Sequence, residues 1–222
     1  MPKKVYLVRH GESVHGEQAV YQSTETELSA QGRAQAEVLA RRFAGISIDL
    51  VYTSEFPRAH QTAETINAVL KTKLSTEALL NELKRPTEII GEALNDPEAL
   101  RIKKTLREHA HDPLWHFSDE ENFYDLRARV QKFLHLLEAD THEHILIVSH
   151  AMILRVLAML MLFGPDAGHE VHHVLYDHFR MTQSGITLFE HNDKGWLLMT
   201  WNDYAHLGED KTEDFYRKRQ DV

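Results

Sequence analysis

The chain contains no cysteine in its 222 residues. Disulfides, thiolate nucleophiles and cysteine-ligated zinc are therefore excluded, and a cytoplasmic setting is the expectation. Long hydrophobic runs are also missing. The N-terminus has no apolar stretch of signal-peptide length before Arg9 interrupts it. The most apolar segment, Ala151 to Phe163, contains Arg155 and falls short of the roughly 20 residues a membrane-spanning helix needs. A soluble, unexported protein with no membrane partner is expected. Positive charge is scarce as well: 25 Lys and Arg face 34 Asp and Glu, a formal net charge of -9. Broad attraction to nucleic acid is disfavoured, so any anionic ligand must be captured by a local cluster of cations. Repeats, low-complexity tracts and flexible linkers are absent too. With 42% hydrophobic and 27% charged residues, the chain reads as one folded domain over 1–222.

What is present is an alternation of two periods. Short β-rich runs occur at "KVYLV", "IDLVYTS", "LSTEALL", "HILIVSH", "GITLFEH" and "WLLMTWN", and segments of helical spacing lie between most of them. Ala36, Leu39, Ala40 and Phe43 form one apolar stripe; Ala59, Ala63, Ile66 and Leu70 form another. The fold class expected is α/β, a three-layer α/β/α sandwich with a mostly parallel sheet. The "NDKG" between the last two strands reads as a hairpin and adds one antiparallel edge strand. Ala151 to Phe163 is apolar nearly all round and reads as a buried helix ended by Gly164-Pro165. Lys84 to Asn122, broken by prolines and mixed in charge, reads as an excursion that forms a lid before a long helix over Phe123 to Leu137. The tail from 208 to 222 reads as a solvated charged extension.

Three distant stretches place polar groups where strands end, and ligands of open α/β sheets gather outside those ends. In "LVRHG", Arg9 and His10 leave the first strand, and Gly11 permits an unusual path or the close approach of a ligand. In "VYTSEFPRAHQTA", Thr53 or Ser54 is a candidate helix cap, Pro57 sits in the first turn and Arg58 lies near the positive helix end. In "ILIVSHAMI", His150 leaves a strand, and the amides from Ala151 on begin a helix. Taken singly, these residues read as capping, salt-bridge or core groups. Together they make a site for a phosphoryl dianion, each unit-charge contact at ~4 Å contributing on the order of 4 kcal/mol at an effective dielectric of about 20.

In order and spacing, "LVRHGES", "TSEFPRAHQTAETI", "NEL" and "IVSHAMILRVL", with the closing "SGITLFEH" and "WLLMTWNDYAHL", resemble the histidine phosphatase superfamily. The similarity is to the branch that includes cofactor-dependent phosphoglycerate mutase and fructose-2,6-bisphosphatase domains, and it runs from Val5 to about Leu207. It implies metal-independent hydrolysis of a small phosphomonoester, with His10 as nucleophile forming a phosphohistidine and no cofactor. Arg9, Arg58, His150 and the Ala151 amide would hold the phosphoryl oxygens, and Glu82 would protonate the leaving oxygen and then deprotonate water. His10 would attack as a neutral imidazole with its other nitrogen a donor, while His150 would be protonated and add charge.

The chain also departs from that pattern. Mutases commonly continue the first motif with Trp-Asn; here His15 and Gly16 stand there, so Thr24, Ser23 or a backbone amide would have to replace the Asn contact. The extended mutase insertion around "HYG" is absent and "KRPTEIIG" follows Glu82. Hydrolysis is therefore favoured over mutase-type transfer and over a weakly catalytic phospho-ligand binding module. Outside the motifs, His169, His172 and His173 have a spacing that can bring two rings onto one helix face for zinc or nickel, although ordinary exposed histidines are the expectation and no metal is assigned. In the lid, Arg85, Arg101, Lys103, Lys104 and Arg107 are candidates for reading a second anion; Trp115 and Phe117 are candidates for packing on an organic moiety or for closing a small core, the structural role being preferred. The substrate's leaving group and the oligomeric state have no signature in the sequence.

Overall fold

The period-two runs form a single six-stranded sheet in a computed structural model that describes residues 2–208. The charged extension therefore lies, beyond its first residue, outside the described residues. The strands are β1 (Lys3–Arg9), β2 (Leu50–Thr53), β3 (Lys73–Thr76), β4 (His144–Ser149), β5 (Ile186–Asn192) and β6 (Gly195–Asp203), in the order β3-β2-β4-β1-β5-β6. β3, β2, β4 and β1 pair in parallel. β5 runs antiparallel to β1, and β6 antiparallel to β5, so the antiparallel pairing is confined to one edge.

Alternate side chains of the inner strands separate into two cores. Val5, Leu7, Leu50, Tyr52, Ile145 and Ile147 pack with helices α5 (Phe123–Ala139) and α6 (Ala151–Phe163) through residues such as Phe133, Leu137 and Leu157. Val8, Val51, Leu146 and Val148 pack on the opposite face with α2 (Ala30–Phe43) and α3 (Pro57–Leu70), through Leu39, Phe43, Ala63 and Ile66. Each fully buried Leu, Ile or Phe contributes roughly 1.5–3 kcal/mol, which fixes strand register against a one-residue slip. Three layers result. In α6 every residue from Ile153 to Met161 is buried, and Gly164, at φ 82, ends the helix.

Segment 84–122 carries a short core of its own. Helix α4 (Pro97–Glu108), capped by Asp96, contributes Ala99 and Ile102 to a cluster with Tyr21 and Ile89, and Phe117 packs against it. Backbone hydrogen bonds Tyr21 N to Glu92 O, Gly91 N to Tyr21 O and Leu94 N to Ala19 O, all 2.9 Å, tie the segment to the stretch after α1 (Val14–Glu17). Helix α7 (His169–His178) packs against α6.

Two local expectations need correction. "LSTEALL" is strand only to Thr76; Ala78–Leu80 turn into a 3-10 helix that drives Leu80 into the core. Neither Thr53 nor Ser54 caps α3. Phe56 occupies the cap position with no side-chain hydrogen bond, Pro57 opens the helix, and the Ser54 hydroxyl is committed elsewhere.

Candidate active site

Three parallel strands end side by side, and that juxtaposition builds the site. Arg9 pairs in register with Ser149 and Thr53 with Val148. His10 N donates to Ser149 O at 2.9 Å and Ser54 N to Val148 O at 3.2 Å. His10 and His150 thereby leave neighbouring strands at the same level, with ring centres 5.0 Å apart. Arg58 enters from the first turn of α3. Glu82 follows the 3-10 helix, whose end is pinned by Ser149 Oγ donating to Leu80 O (2.6 Å) and Arg129 donating to Leu79 O (2.9 Å) and Asn81 O (2.7 Å). Arg9, His10, Arg58, Glu82 and Ala151 line a cleft of about 700 Å³. His150 is 0% exposed and is not among the residues that line the cleft.

Hydrogen bonds fix the proton on each imidazole. His10 Nδ1 lies 2.6 Å from Gly11 O, and a carbonyl only accepts, so Nδ1 carries the hydrogen and Nε2 keeps its lone pair. Burial depresses the His10 pKa well below the ordinary histidine value, and the nearby Arg58 and Arg9 lower it further. The His150 proton follows from a short chain of bonds. Asn81 is oriented by Glu55: its Nδ2 donates to Glu55 Oε2 (2.7 Å), and its Oδ1 accepts Glu55 N–H (3.0 Å). Ser54 Oγ gives its hydrogen to that Oδ1 at 2.9 Å and so accepts from Phe56 N (3.1 Å) and from His150 Nε2 (2.9 Å). The His150 hydrogen is thus on Nε2, and Nδ1 is buried with no hydrogen-bond partner. Burial, then Arg58, His10 and Arg9, hold its pKa well below the usual value. Without ligand, burial and then the nearby guanidiniums favour neutral His150, whereas the imidazolium expected from the sequence belongs opposite bound phosphate.

The cations are themselves held in place. Arg9 Nη1 donates to Met181 O (2.7 Å) and Arg58 Nη1 to Ser23 O (3.0 Å); Arg58 Nε is buried with no hydrogen-bond partner. Burial brings the Arg58 pKa down to about 10, offset in part by Glu82, so the group stays charged at neutral pH. Glu82 Oε1 accepts Leu83 N–H at 2.9 Å and Oε2 accepts Met152 N–H at 3.3 Å, which sets its carboxylate beside the start of α6.

Several features were not foreseen in the sequence. Gly11 is required by protein packing: a Cβ there would stand 2.6 Å from Gly32 O, and one on Gly32 only 1.9 Å from Glu12 O. The turn from Met181 to Gly185 presents the Gln183 side chain to the cleft. It is pinned by Thr182 N to Asn202 Oδ1 (2.7 Å) and Ser184 N to Arg9 O (2.9 Å), with Ser184 at φ 60. A Cβ at Gly16 would lie 3.6 Å from Gln22 Nε2 and 3.7 Å from Gln183 Nε2, so two amides surround the place of the missing Asn, beside Ser23 and Thr24. His15, where mutases have Trp, orders this loop through Nδ1, 3.0 Å from Thr26 Oγ1 and 3.4 Å from Ser23 N.

The remaining candidates divide. Arg101 forks onto Glu98 and Lys104 pairs with Glu108 at 3.8 Å, so both are engaged on α4 itself, whereas Arg85 lines the cleft. His172 is 8% exposed rather than a surface residue, packed against Phe123 at 5.0 Å, and the His169 and His173 rings meet at 4.1 Å. Among the described residues no three His, Asp or Glu side chains are placed to hold a metal ion, and no helix is long and apolar enough to cross a membrane.

Residues 5–204 match the histidine phosphatase superfamily, branch 1, and the chain belongs to that family. It is similar to the adenosylcobalamin/alpha-ribazole phosphatase of Escherichia coli strain K12, 27% identical over 216 residues that cover 91% of this chain and 97% of that one. It is 26% identical over 217 residues to the probable phosphoglycerate mutase GpmB of Yersinia enterocolitica, covering 92% and 94%. The solved alpha-ribazole phosphatase of Shigella flexneri superposes with a TM-score of 0.75 at 25% identity, covering 90% of this chain and 96% of that chain.

Proposed function

We propose that the chain hydrolyses small phosphomonoesters in two transfers through a phosphohistidine on His10. The carrying observation is the state of that residue: buried and neutral, with Nδ1 tied to Gly11 O and Nε2 bare, between two guanidiniums. In the first transfer the Nε2 lone pair forms a bond to phosphorus, the ester P–O bond breaks, and the leaving oxygen takes a proton from Glu82. In the second, water attacks phosphorus and gives its proton to Glu82, the N–P bond breaks, and inorganic phosphate leaves with His10 restored.

Phosphoryl transfer depends mainly on positioning and charge. Arg9, Arg58 and the Ala151 amide hold phosphoryl oxygens, with the Gln22 and Gln183 amides in place of the family's Asn. His150 joins them by taking up a proton at Nδ1 as the dianion arrives, since its Nε2–H is already committed to Ser54. The arginines supply the positive charge, so the scheme needs no metal. Segment 84–122 acts as the lid of this single domain, and the absence of cysteine supports a cytoplasmic setting.

The test is phosphate release from a panel of phosphomonoesters, with no added metal and with chelator, for wild type beside His10→Ala. Turnover that survives chelation and disappears in the variant is expected. Equal turnover in the variant would refute the scheme. The likeness to GpmB favours a second reading, in which the phosphoryl group returns to another hydroxyl. Dependence on a bisphosphorylated primer, with isomerised product exceeding free phosphate, would select it.

A further inference from the structure

The lid walls a second cavity besides the cleft. It has a volume of about 300 Å³ and lies between segment 84–122, the start of α5 and α7. Leu106, Trp115, Phe123 and Leu126 give it apolar walls, and His169 and His172 add ring surface. Burial lowers the pKa of both histidines, that of His172 to about 3, so those rings face neutral solution uncharged. Its charged lining comes in both signs, Lys103 and Arg107 against Glu120 and Asp177. Shape and apolar contact, rather than net charge, do the selecting.

This cavity adjoins the cleft along a shared wall: Leu83, Lys84, Arg85, Met152, Tyr176 and Asp177 line both. The junction falls at Glu82. Its two carboxylate oxygens accept the N–H groups of Leu83 and Met152, and both of those residues line the second cavity. The group proposed to protonate the leaving oxygen is therefore hydrogen-bonded to two residues that the cleft and the apolar cavity share.

On the phosphatase reading above, we infer that the second cavity seats the leaving group and selects phosphomonoesters of flat, apolar, ring-bearing alcohols. A leaving group the size of glycerol or serine is too small to cover these walls. A bicyclic aromatic alcohol offers them a matching flat apolar surface, and about 300 Å³ is within the range of small-molecule sites. Trp115, already stacked on His109 with ring centres 4.3 Å apart, offers a flat face to this lining, to which Phe123 adds a second aromatic ring.

The experiment compares kcat/KM for 1-naphthyl phosphate and O-phosphoserine in wild type, in Ala110→Trp, which fills the cavity, and in Trp115→Ala, which removes a wall. Filling is expected to lower the naphthyl value about tenfold or more while phosphoserine stays within about twofold; the wall deletion should shift the ratio the same way. Retained phosphoserine turnover certifies that the variants fold. If Ala110→Trp loses both activities, Trp115→Ala decides. Unchanged substrate ratios in a folded variant overturn the inference and leave the phosphatase reading intact. Equilibrium binding of 1-naphthol provides the separate arm: it should persist in His10→Ala and vanish in Ala110→Trp. Naphthol binding without His10-dependent phosphate release would place the failure in the phosphatase reading; no naphthol binding in wild type would overturn the cavity assignment.

Discussion

Ser54→Ala isolates the bond that fixes the His150 proton. The Ser54 hydroxyl is 0% exposed, accepts N–H from Phe56 and His150, and donates to Asn81. Asn81 Oδ1 keeps its bond from Glu55 N, so the substitution leaves two unmet donors, the buried His150 Nε2 and the part-buried Phe56 N. At about 1–3 kcal/mol each, the loss of stability is roughly 2–6 kcal/mol, or a fall in Tm of about 4–24 °C for a chain of this length. The chemical consequence is separate and more diagnostic. In wild type, Nδ1 must gain a proton before it can donate to a bound dianion, and its pKa without ligand is held low. Sulfate, which keeps its charge across the range, should therefore inhibit less as pH rises, its Ki climbing by up to about tenfold per unit wherever binding takes up the proton. Without Ser54, the hydrogen can move from Nε2 to Nδ1, and the neutral ring can donate with no proton uptake. The slope should flatten. Competitive inhibition by sulfate across pH, with imidazole nitrogen NMR shifts to assign the tautomer, measures this. A Ser54→Ala protein with the wild-type slope and the wild-type tautomer would refute the reasoning.

Other consequences follow from the same geometry. Gly32→Ala should cost about 2–3 kcal/mol or prevent folding, because its Cβ would meet Glu12 O at 1.9 Å, where only backbone can yield; the urea midpoint reads this, and an unchanged midpoint would contradict the close approach. Glu82→Gln should slow hydrolysis of alkyl phosphates by about 10²–10³ but p-nitrophenyl phosphate far less, since that leaving group departs without a proton; equal losses would argue against the acid role. His172, with a folded pKa of about 3, contributes stability that is complete above about pH 6.5 and lost as pH falls from there towards 3. At pH 4.5 the loss is roughly 3 kcal/mol, and His172→Phe should remove that part of the acid limb in urea titrations at several pH values; parallel curves for the two proteins would count against it.

The sequence disclosed most where one residue acts through its immediate neighbours. Arg9, His10 and His150 were legible because Arg9 ends, and the two histidines directly follow, strands whose period-two pattern is strong, and parallel strands bring their ends to one edge. Leu79 and Leu80 misled, because an apolar run looks the same whether it extends a strand or turns into the core as a 3-10 helix. The cap at Ser54 failed for a tertiary reason: its hydroxyl is taken by His150 and Asn81, 96 and 27 residues away. Gly32 gave only the weak signal of a glycine early in a helical pattern, and its partners at 11 and 12 belong to another loop. Gln183 gave none; the clue was indirect, in the Gly16 that creates space for a longer amide.

The acidity of the whole chain sharpens the question of how an anion site works within it. Arg9 and Arg58 act twice. Before ligand arrives, their charges and the surrounding burial keep both imidazoles neutral, which leaves His10 Nε2 nucleophilic and His150 Nδ1 bare. Burial is the larger part of what holds His150 neutral; a bound dianion offsets those same two charges and so removes the repulsive part. In the proposed cycle the proton enters with substrate and leaves with phosphate. Charge on the site in this scheme follows occupancy, and a pocket that would otherwise hold three positive groups together carries the third only while a dianion is present to balance it.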